Sequence, residues 1–402
     1  GNVFQNFLYP WLPYVTNNKT LDDASYGDQN HWDKLNKRWY SSGKPYRWME
    51  KIDGRPSPFF AKWLDHPGYD SYWQNMIPYQ EQFTKITIPV LQVTGYFDGG
   101  QVGALYYLNQ HYRYNKNADH TLLIGPYEHF SMQSGVAREV QGYAIDPVAS
   151  IDLQAVRYGW FDYIFKGTAK PEILKDKINY QVMGANEWKH STSLEAMSNQ
   201  MLRLQLNPDA SNGVCRLTVG KQNQNKFADF MLDFKDRRDV DWVVPELSVN
   251  KTLDSHNGIA YVSDPVTEAT EVSGLFSGQL DFVVNKKDFD FTIALYELSK
   301  DGDYLQLAYQ VQRASYADDR LQRKLLKPGK RQKIRFASER LTSRLLKPGS
   351  RLVIVLSINK QVDQQINYGS GKEVSDESFD DAKIPLKIRW YGSSYVDIPV
   401  WK

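Results

Sequence analysis

Cysteine, net charge and long apolar runs are all scarce in this sequence of 402 residues. Its single cysteine, Cys215, can form neither an internal disulfide nor a thiolate metal cluster. No uninterrupted apolar run approaches the ~18 residues of a membrane-spanning helix, so we expect no membrane partner. The formal net charge of +2 is too small to indicate a nucleic-acid partner. The compartment is left open, because a large secreted domain can fold without disulfides.

Several motifs of metal-dependent and nucleotide-binding enzymes are also missing. Among the seven histidines no pair has the i, i+4 spacing of a helical zinc site, and there is no His-Glu-x-x-His. Gly99, Gly100 and Gly103 do not make a dinucleotide-binding fingerprint, and there is no Walker A sequence. The sequence therefore predicts neither a metal site nor a cofactor.

The composition itself is that of a globular protein. Hydrophobic residues make up 41% and charged residues 24% of the chain, which excludes a disordered, collagenous or coiled-coil protein. At this length we expect two or three domains.

The pattern of elements changes along the first part of the chain. Residues 1–80 are rich in aromatic side chains and turn signals without period-2 alternation, which predicts short helices and loops. Buried strands are predicted over 88–94 and 121–124, with a helix over 102–114 between them. This βαβ order predicts that the two strands are parallel. A further helix is predicted over 147–166.

Beyond Pro171 the pattern becomes β-like, without helices of crossover length. Many short strands separated by turn signals are typical of an antiparallel sandwich or jelly roll. The β-like runs are 178–183, 202–206, 279–284, 291–298, 305–311, 333–336 and 351–358.

Positive charge is concentrated in residues 320–351. This segment holds twelve Lys and Arg residues and one acid, Glu339, so the rest of the chain carries a net charge of −9. We expect either a solvated face or a surface that docks against acidic residues elsewhere in the molecule. A nucleic-acid site is poorly supported, because Phe336 is the only aromatic residue in the segment and one ring is too few to stack a series of bases.

Two residues with catalytic side chains follow the two predicted buried strands. The first strand runs into Asp98 and the second into His129, thirty-one residues later. Functional groups collect beyond the carboxyl ends of strands in open α/β sheets, and this order matches the last two triad members of α/β-hydrolases. An imidazole can take and return a nucleophile's proton near neutral pH, while a carboxylate fixes its tautomer and stabilises the imidazolium. From spacing alone, the alternative is a turn at Asp98 and a loop histidine without a catalytic role.

The segments that contain these residues resemble those of a known enzyme family. PVLQVTGYFD (89–98) and LIGPYEH (123–129) resemble paired blocks of the X-Pro dipeptidyl-peptidase and cocaine-esterase-like (CocE/NonD) serine hydrolases. That family includes α-amino-acid ester hydrolases and cephalosporin acylases. Further blocks follow the family's order over nearly the whole chain: HPGYDSYW (66–73), VMGANEW (182–188), 264–265, 271–274, 287–291 and 348–352.

The resemblance implies a fold, a domain division and two site residues. The fold is an α/β-hydrolase domain, here the C-terminal part of its sheet plus a helical cap, followed by an all-β jelly-roll domain. The expected boundaries are 1–80 for the helical cap region, which lines an acyl or leaving-group pocket, 81–171 for the hydrolase part and 172–402 for the jelly roll. Asp98 is implied as the triad acid and His129 as the general base.

Some positions depart from the family or are interpreted as structural. Tyr96 and Tyr127 stand where many members carry Trp, which implies a bulky pocket wall of changed shape. Asp70, Trp73 and Trp188 are interpreted as packing residues between domains.

The largest departure is the nucleophile. No Gly-x-Ser-x-Gly occurs in the sequence. In the family this elbow precedes the cap, as do the oxyanion tyrosine and most of the sheet, and the chain starts at Gly1, about where the cap begins. We therefore expect the serine to come from an upstream segment or a second chain, and we expect this chain alone to be inactive.

Two functions from different classes follow. The first is a serine-type acyl hydrolase that cleaves a small ester, amide or peptide substrate through an acyl-enzyme. The alternative is a non-catalytic jelly-roll module that binds carbohydrate or a partner and carries a vestigial triad. The sequence leaves open both the choice among esterase, acylase and dipeptidyl-peptidase and the formation of a homo-oligomer.

Overall fold

The structure contains a helical N-terminal region, a small mostly parallel sheet and a large antiparallel sheet. The computed structural model describes residues 2–16, 20–133, 135–211, 213–220 and 224–402. The α-helices are α1 (Leu8–Thr16), α2 (Asp23–Tyr26), α3 (Gln29–Ser42), α4 (Met49–Asp53), α5 (Pro58–Leu64), α6 (Ser71–Gln74), α7 (Gln101–Tyr114), α8 (Leu153–Lys166) and α9 (Phe379–Ala382). The strands are β1 (Val90–Gly95), β2 (His120–Gly125), β3 (Glu139–Val140), β4 (Tyr143–Ala144), β5 (Ile178–Val182), β6 (Glu187–Ser191), β7 (Gln200–Ser211), β8 (Val214–Thr218), β9 (Phe227–Leu232), β10 (Val249–Asn250), β11 (Gly258–Ser263), β12 (Thr270–Gly274), β13 (Ser277–Val284), β14 (Asp290–Leu298), β15 (Tyr304–Arg313), β16 (Arg331–Ala337), β17 (Thr342–Leu346), β18 (Arg351–Ile358), β19 (Leu386–Tyr391) and β20 (Tyr395–Trp401).

The N-terminal region consists of short helices and loops, as predicted for the described part of 1–80. Local capping explains where several helices begin. The carboxylates of Asp22, Asp28 and Asp70 accept hydrogen bonds from backbone N–H groups in the first turns of α2, α3 and α6. Helix α3 ends at Gly43, whose φ of +62° is the left-handed conformation that glycine adopts most easily. These short-range signals divide the region into separate helices.

The small sheet confirms the predicted βαβ unit and extends it. Strands β1 and β2 are parallel, in register from Val90 opposite His120 to Gly95 opposite Gly125, and α7 connects them. Strand β5 continues the sheet in parallel with β2, and β6 returns antiparallel to β5. The order is β1-β2-β5-β6, so β1 is an edge strand.

The strand predicted over 178–183 therefore lies in the small sheet. Its sequence pattern groups it with the C-terminal β-like runs, and that prediction is wrong for this strand. Strand β5 is buried along its whole length, and such a strand has no alternation that would reveal its partners. Helix α8 forms a second crossover, between β2 and β5, that the sequence pattern did not reveal. The predicted domain boundary at 172 remains a prediction.

Helix α8 begins later than its predicted start at 147. A 3-10 turn occupies Pro147–Ala149, and the helix starts after Asp152, whose carboxylate accepts hydrogen bonds from the N–H groups of Gln154 and Ala155. It ends at Gly167, with φ of +68°. The strong N-cap explains the later start.

The large sheet contains β7 to β20, and its pairs are antiparallel except for β8 with β11. The main strand order is β10-β15-β14-β18-β11-β8-β7-β20-β13-β19-β9. Alternation places Phe291, Ile293 and Leu295 of β14 in the core, each fully buried. Buried apolar side chains of all three regions form one continuous cluster.

Basic side chains of 320–351 pair with acids of the large sheet, which is the second of the two arrangements expected for this segment. Arg344 donates to Glu297 at 2.6 Å, and Arg331 donates to Asp281 at 2.9 Å. Both carboxylates are almost fully buried. Much of the local positive charge is therefore neutralised within the chain.

Candidate active site

Asp98 lies in the turn between the end of β1 and the start of α7. Its backbone N–H donates to the Gly95 carbonyl at 3.2 Å. One carboxylate oxygen, Oδ1, accepts from the N–H of Gly100 at 2.9 Å, and Oδ2 accepts from the Thr94 hydroxyl at 3.3 Å. The side chain is only 7% exposed. The chain thus holds a buried carboxylate at the carboxyl end of the edge strand.

His129 follows the neighbouring strand β2 and lies beside this carboxylate. Its Nδ1 is 3.2 Å from Oδ1 of Asp98. The His129 side chain is 63% exposed, and within the described residues its ring is hydrogen-bonded to Asp98 and to no hydroxyl group. The structure therefore brings together the two residues that the sequence singled out, with the acid buried and the imidazole accessible.

A close approach of the two strand ends makes this pairing possible. The N–H of Phe97 donates to the carbonyl of Tyr127 at 3.1 Å, and the N–H of Tyr96 donates to the carbonyl of Gly125 at 2.9 Å. A Cβ atom on Gly95 would lie 2.0 Å from the Tyr127 carbonyl oxygen. Only glycine fits there without displacing the loop that leads to His129.

Tyr96 and Tyr127 help to fix these two loops. Both side chains are buried, and their hydroxyl groups donate to the carbonyls of Gln181 at 2.7 Å and Ala149 at 2.8 Å, respectively. Burial raises the pKa of each phenol well above its usual value, so both remain protonated donors. The Tyr96 hydroxyl thus connects its loop to β5, and the Tyr127 hydroxyl connects its loop to the 3-10 turn before α8.

The large sheet also contacts the Asp98 turn through residues that the sequence analysis missed. Arg340 donates from Nη1 to the Asp98 carbonyl at 3.1 Å, and its guanidinium lies 4.3 Å from the ring centre of Tyr309. The Gln101 amide donates to the Gly95 carbonyl at 2.8 Å and accepts from the N–H of Leu341. No local signal could have found these contacts, because about 240 residues separate the partners.

The other family-like residues have structural contacts. Asp70 caps α6 and lies 2.6 Å from Nδ1 of His66. The Trp73 indole donates to the His66 carbonyl, and the Trp188 indole donates to the Val148 carbonyl, both at 2.8 Å. These contacts are structural, but those of Asp70 and Trp73 lie within residues 66–73, so packing between domains stays a prediction for these two residues.

Metal sites and membrane-spanning helices are two further features to consider in the described part of the chain. It contains no group of three or more His, Cys, Asp or Glu side chains arranged to hold a metal ion. None of its helices has the length and apolarity that crossing a membrane requires.

Two family profiles match the chain in sequence order. Residues 1–131 match the X-Pro dipeptidyl-peptidase (S15 family), and residues 174–384 match the X-Pro dipeptidyl-peptidase C-terminal non-catalytic domain. The second match covers more than half of the chain. Asp98 and His129 both lie within the first.

A curated protein is similar to the chain over part of its length. Cocaine esterase from Rhodococcus sp. (strain MB1 Bresler) is 24% identical over 287 residues, which is 66% of this chain and 48% of that enzyme. The chain thus spans about half the length of this curated relative.

Solved structures share the fold. An α-amino acid ester hydrolase superimposes with a TM-score of 0.77 at 16% identity, over 99% of this chain and 69% of the other. An aminopeptidase from the marine sediment archaeon Thaumarchaeota archaeon gives a TM-score of 0.75 at 18% identity, over 90% of this chain and 63% of the other. With the paired strands, the Asp98–His129 contact and the profile matches, these similarities establish that the chain belongs to the X-Pro dipeptidyl-peptidase and cocaine esterase (CocE/NonD) family, with an α/β-hydrolase part followed by a C-terminal β domain.

Proposed function

We propose that this chain supplies the acid and the base of a serine acyl hydrolase, and that an upstream segment or a second chain supplies the serine. The observation that carries the proposal is the 3.2 Å contact between His129 Nδ1 and Asp98 Oδ1, beyond the carboxyl ends of neighbouring parallel strands. A buried carboxylate beside an accessible imidazole is the arrangement that general-base catalysis requires.

In the proposed mechanism His129 acts through Nε2 while Nδ1–H donates to Asp98. The imidazole removes the proton from the serine hydroxyl as the serine oxygen bonds to the substrate carbonyl carbon. The resulting imidazolium gives that proton to the leaving alcohol or amine when the ester or amide bond breaks. Water, deprotonated by the same imidazole, then attacks the acyl carbon, and the imidazolium returns the proton to the serine oxygen as the acid leaves. Asp98 holds the tautomer and stabilises the imidazolium throughout.

Three features support a partner segment next to the small sheet. Strand β1 is an edge strand whose first four residues are only half-buried, and among the described residues no strand pairs with its outer side. A cavity of about 530 Å³ beside Asp98 is lined by side chains of β1 and α7, among them Thr94 and Tyr106. Helix α8 exposes Phe161 at 49% and Phe165 at 78%, and their rings stack 6.0 Å apart. Such contiguous apolar surface is a feature of protein interfaces.

For the substrate we propose a small ester, amide or peptide. Cocaine esterase and α-amino acid ester hydrolase are named for ester substrates, and an aminopeptidase cleaves peptides. Proteins with this fold are therefore named for different ester and peptide substrates. The comparisons support the reaction class, acyl transfer, and do not point to a particular compound.

The experiment compares residues 1–402 with and without the upstream segment, added in cis or as a second chain. Alone, the chain should hydrolyse activated esters no faster than an unrelated protein and should not label with a fluorophosphonate probe. With the segment, labelling and turnover should appear, and His129→Ala should abolish the turnover. His66→Ala is the matched control, because His66 also contacts a carboxylate, at 2.6 Å, outside the proposed site.

Two outcomes would overturn the proposal. Probe labelling of a serine within 1–402 that is lost on His129→Ala would mean that the nucleophile lies in this chain. An upstream reading frame without a Gly-x-Ser-x-Gly elbow would favour the alternative, a non-catalytic binding module with a vestigial dyad. That alternative has one supporting observation, the match of 174–384 to a domain described as non-catalytic.

We also propose the division into 1–80, 81–171 and 172–402, with a jelly-roll topology for the last part. Support for the jelly roll comes from the antiparallel strands whose neighbours in the sheet are often distant in sequence. Limited proteolysis should leave a stable fragment that begins between about 171 and 178. A stable fragment beginning after Ser191 would instead assign β5 and β6 to the hydrolase part, with which they share a sheet.

A further inference from the structure

A cavity of about 350 Å³ lies on the face of the large sheet that points away from its core. Its floor is made by β14, β15 and β18, where Thr292 is opposite Ser357 and Tyr296 is opposite Gln306. These side chains alternate with the fully buried ones of β14, so they must point to the other face. The volume is within the usual range of small-molecule sites.

The segment 242–257 covers this floor. Trp242 stacks on His256 with the ring centres 4.0 Å apart and 15° between the planes. Nε2 of His256 is 3.1 Å from Asp239, and Ser248 donates to the Gln141 side chain at 2.6 Å. The cover is therefore held by hydrogen bonds in its middle and near its C-terminal end, and the cavity is part of the fold.

The cavity contains a buried polar group that the chain itself does not satisfy. Asn359 is 5% exposed, and its Oδ1 accepts from the Thr292 hydroxyl at 2.8 Å. Its Nδ2 has no hydrogen-bond partner among the residues that the structure describes. A buried amide without a partner costs ~1–3 kcal/mol, so such a group in a cavity indicates an acceptor supplied from outside.

The remaining polar groups of the floor are neutral. Gln306 donates from Nε2 to the Tyr296 hydroxyl at 3.0 Å, which leaves the phenolic hydrogen free to donate. Burial raises the pKa of the Tyr296 phenol to about 12, so the hydroxyl stays protonated at neutral pH. Together with Ser357 these groups offer both donors and acceptors without charge.

The cations at the cavity are already engaged. Lys360 donates to Asp239 at 2.7 Å and is 3% exposed. Arg340 donates to the Asp98 carbonyl and lies over the ring of Tyr309. A carboxylate or phosphate in the cavity would therefore gain no unpaired cation and would lose its hydration.

We infer that this cavity binds a small neutral polyhydroxyl compound, a monosaccharide, disaccharide or cyclic polyol. Hydroxyl groups would pair with the amides of Asn359 and Gln306, and the C–H face of the ring would pack on aromatic side chains such as Trp242 and Tyr309. Neither Asp98 nor His129 lines this cavity, although Tyr96, Phe97 and Gly99 of the Asp98 turn do. It requires no serine and can be tested on residues 1–402 alone.

The experiment titrates D-glucose, maltose and myo-inositol into the chain and follows tryptophan fluorescence and calorimetry. At least one should bind with a Kd below about 1 mM. Sodium gluconate and a neutral N-acetyl dipeptide amide are the comparison probes, and both should bind at least tenfold more weakly.

Two variants locate the binding. Asn359→Asp keeps the side-chain shape but removes the free donor, and Ala294→Phe fills the cavity floor. Each should weaken binding at least tenfold while far-UV circular dichroism and the thermal midpoint confirm folding. Met231→Phe is the control and should leave binding unchanged, because Met231 is 65% exposed on β9, at the opposite end of the sheet.

The inference is overturned if none of the three polyols binds, or if binding survives both variants. Tighter binding of gluconate would contradict the neutral class. Tighter binding of the dipeptide amide would make the cavity a subsite for peptide substrates instead.

Discussion

The small sheet and the large sheet bury their polar and apolar groups to different degrees. In the large sheet Asp290 and Arg313 form a bidentate ion pair with both side chains almost fully buried, at distances of 2.8 Å. In the small sheet the edge strand β1 is half-buried, and α8 leaves Phe161 and Phe165 exposed. The Asp290–Arg313 pair is thus satisfied within the large sheet, whereas the small sheet presents apolar surface that suits a further segment. We therefore expect substitutions at the buried ion pair to affect folding, and substitutions on the exposed surface of the small sheet to affect association with the proposed partner segment.

The largest effect should come from removing a buried charge partner in the large sheet. Asp290→Ala should lower the free energy of unfolding by about 3–5 kcal/mol, because Arg313 would remain buried and unpaired. The measurement is urea unfolding followed by circular dichroism. Asp264→Ala is the matched control, since the Arg216–Asp264 pair is 51% and 75% exposed, and it should cost no more than about 1 kcal/mol. Equal costs for the two variants would contradict the claim that burial makes the Asp290–Arg313 pair important for stability.

Acid should destabilise the small sheet through His120. Burial, with a smaller contribution from His111, lowers the pKa of His120 to about 4 from an ordinary value of 6.5. Between these values the unfolded chain binds more protons than the folded one, so stability is lost as the pH falls from about 6.5 to about 4, and little more is lost below. The total loss should be on the order of 3 kcal/mol.

The test is the free energy of unfolding measured at pH 7 and pH 4.5. In His120→Asn the loss of stability between pH 7 and pH 4.5 should be smaller, because Asn cannot take up a proton in this interval. If the variant and the parent chain lose equal stability over this interval, the acid sensitivity has another origin.

A substitution at the end of β1 should show how far turnover depends on the geometry of the loop that carries His129. Gly95→Ala places a Cβ 2.0 Å from the Tyr127 carbonyl oxygen, and should cost about 1–3 kcal/mol while moving the His129 loop away from Asp98. Gly99→Ala is the control, because its Cβ would have no neighbour within 4 Å. Thermal unfolding gives the cost. In the chain supplemented with the upstream segment, turnover should fall for Gly95→Ala alone, and a similar fall for Gly99→Ala would argue against this account.

The smallest effect on the isolated chain is expected at the exposed face of α8. Phe165→Ser should change the free energy of unfolding by no more than about 0.5 kcal/mol, because Phe165 is 78% exposed. It should nevertheless weaken association with the upstream segment, measured by calorimetry. Met231→Ser, at a residue 65% exposed on β9, should leave association unchanged. Unaltered association for Phe165→Ser would remove α8 from the proposed interface.

Much of the local structure could be predicted because its causes are local. The apolar runs before Asp98 and His129 indicated two buried strands, and the helix between them indicated that the strands are parallel. Capping residues such as Asp152 refine the helix boundaries further, since the preference of a carboxylate for N–H groups acts over only a few residues. The sheet membership of β5 could not be predicted, because it depends on a hydrogen-bonding partner more than fifty residues away.

The sequence by itself indicated the family, the first βαβ unit, several C-terminal strands and the two candidate catalytic residues, because short motifs and apolar periodicity carry this information. Only the tertiary structure decided that Asp98 is buried against His129, that Arg340 and Gln101 connect this turn to the large sheet, and that a cavity with an unpaired amide lies under residues 242–257. Burial, partner choice and enclosed space arise when distant segments exclude water together, and no single segment encodes them.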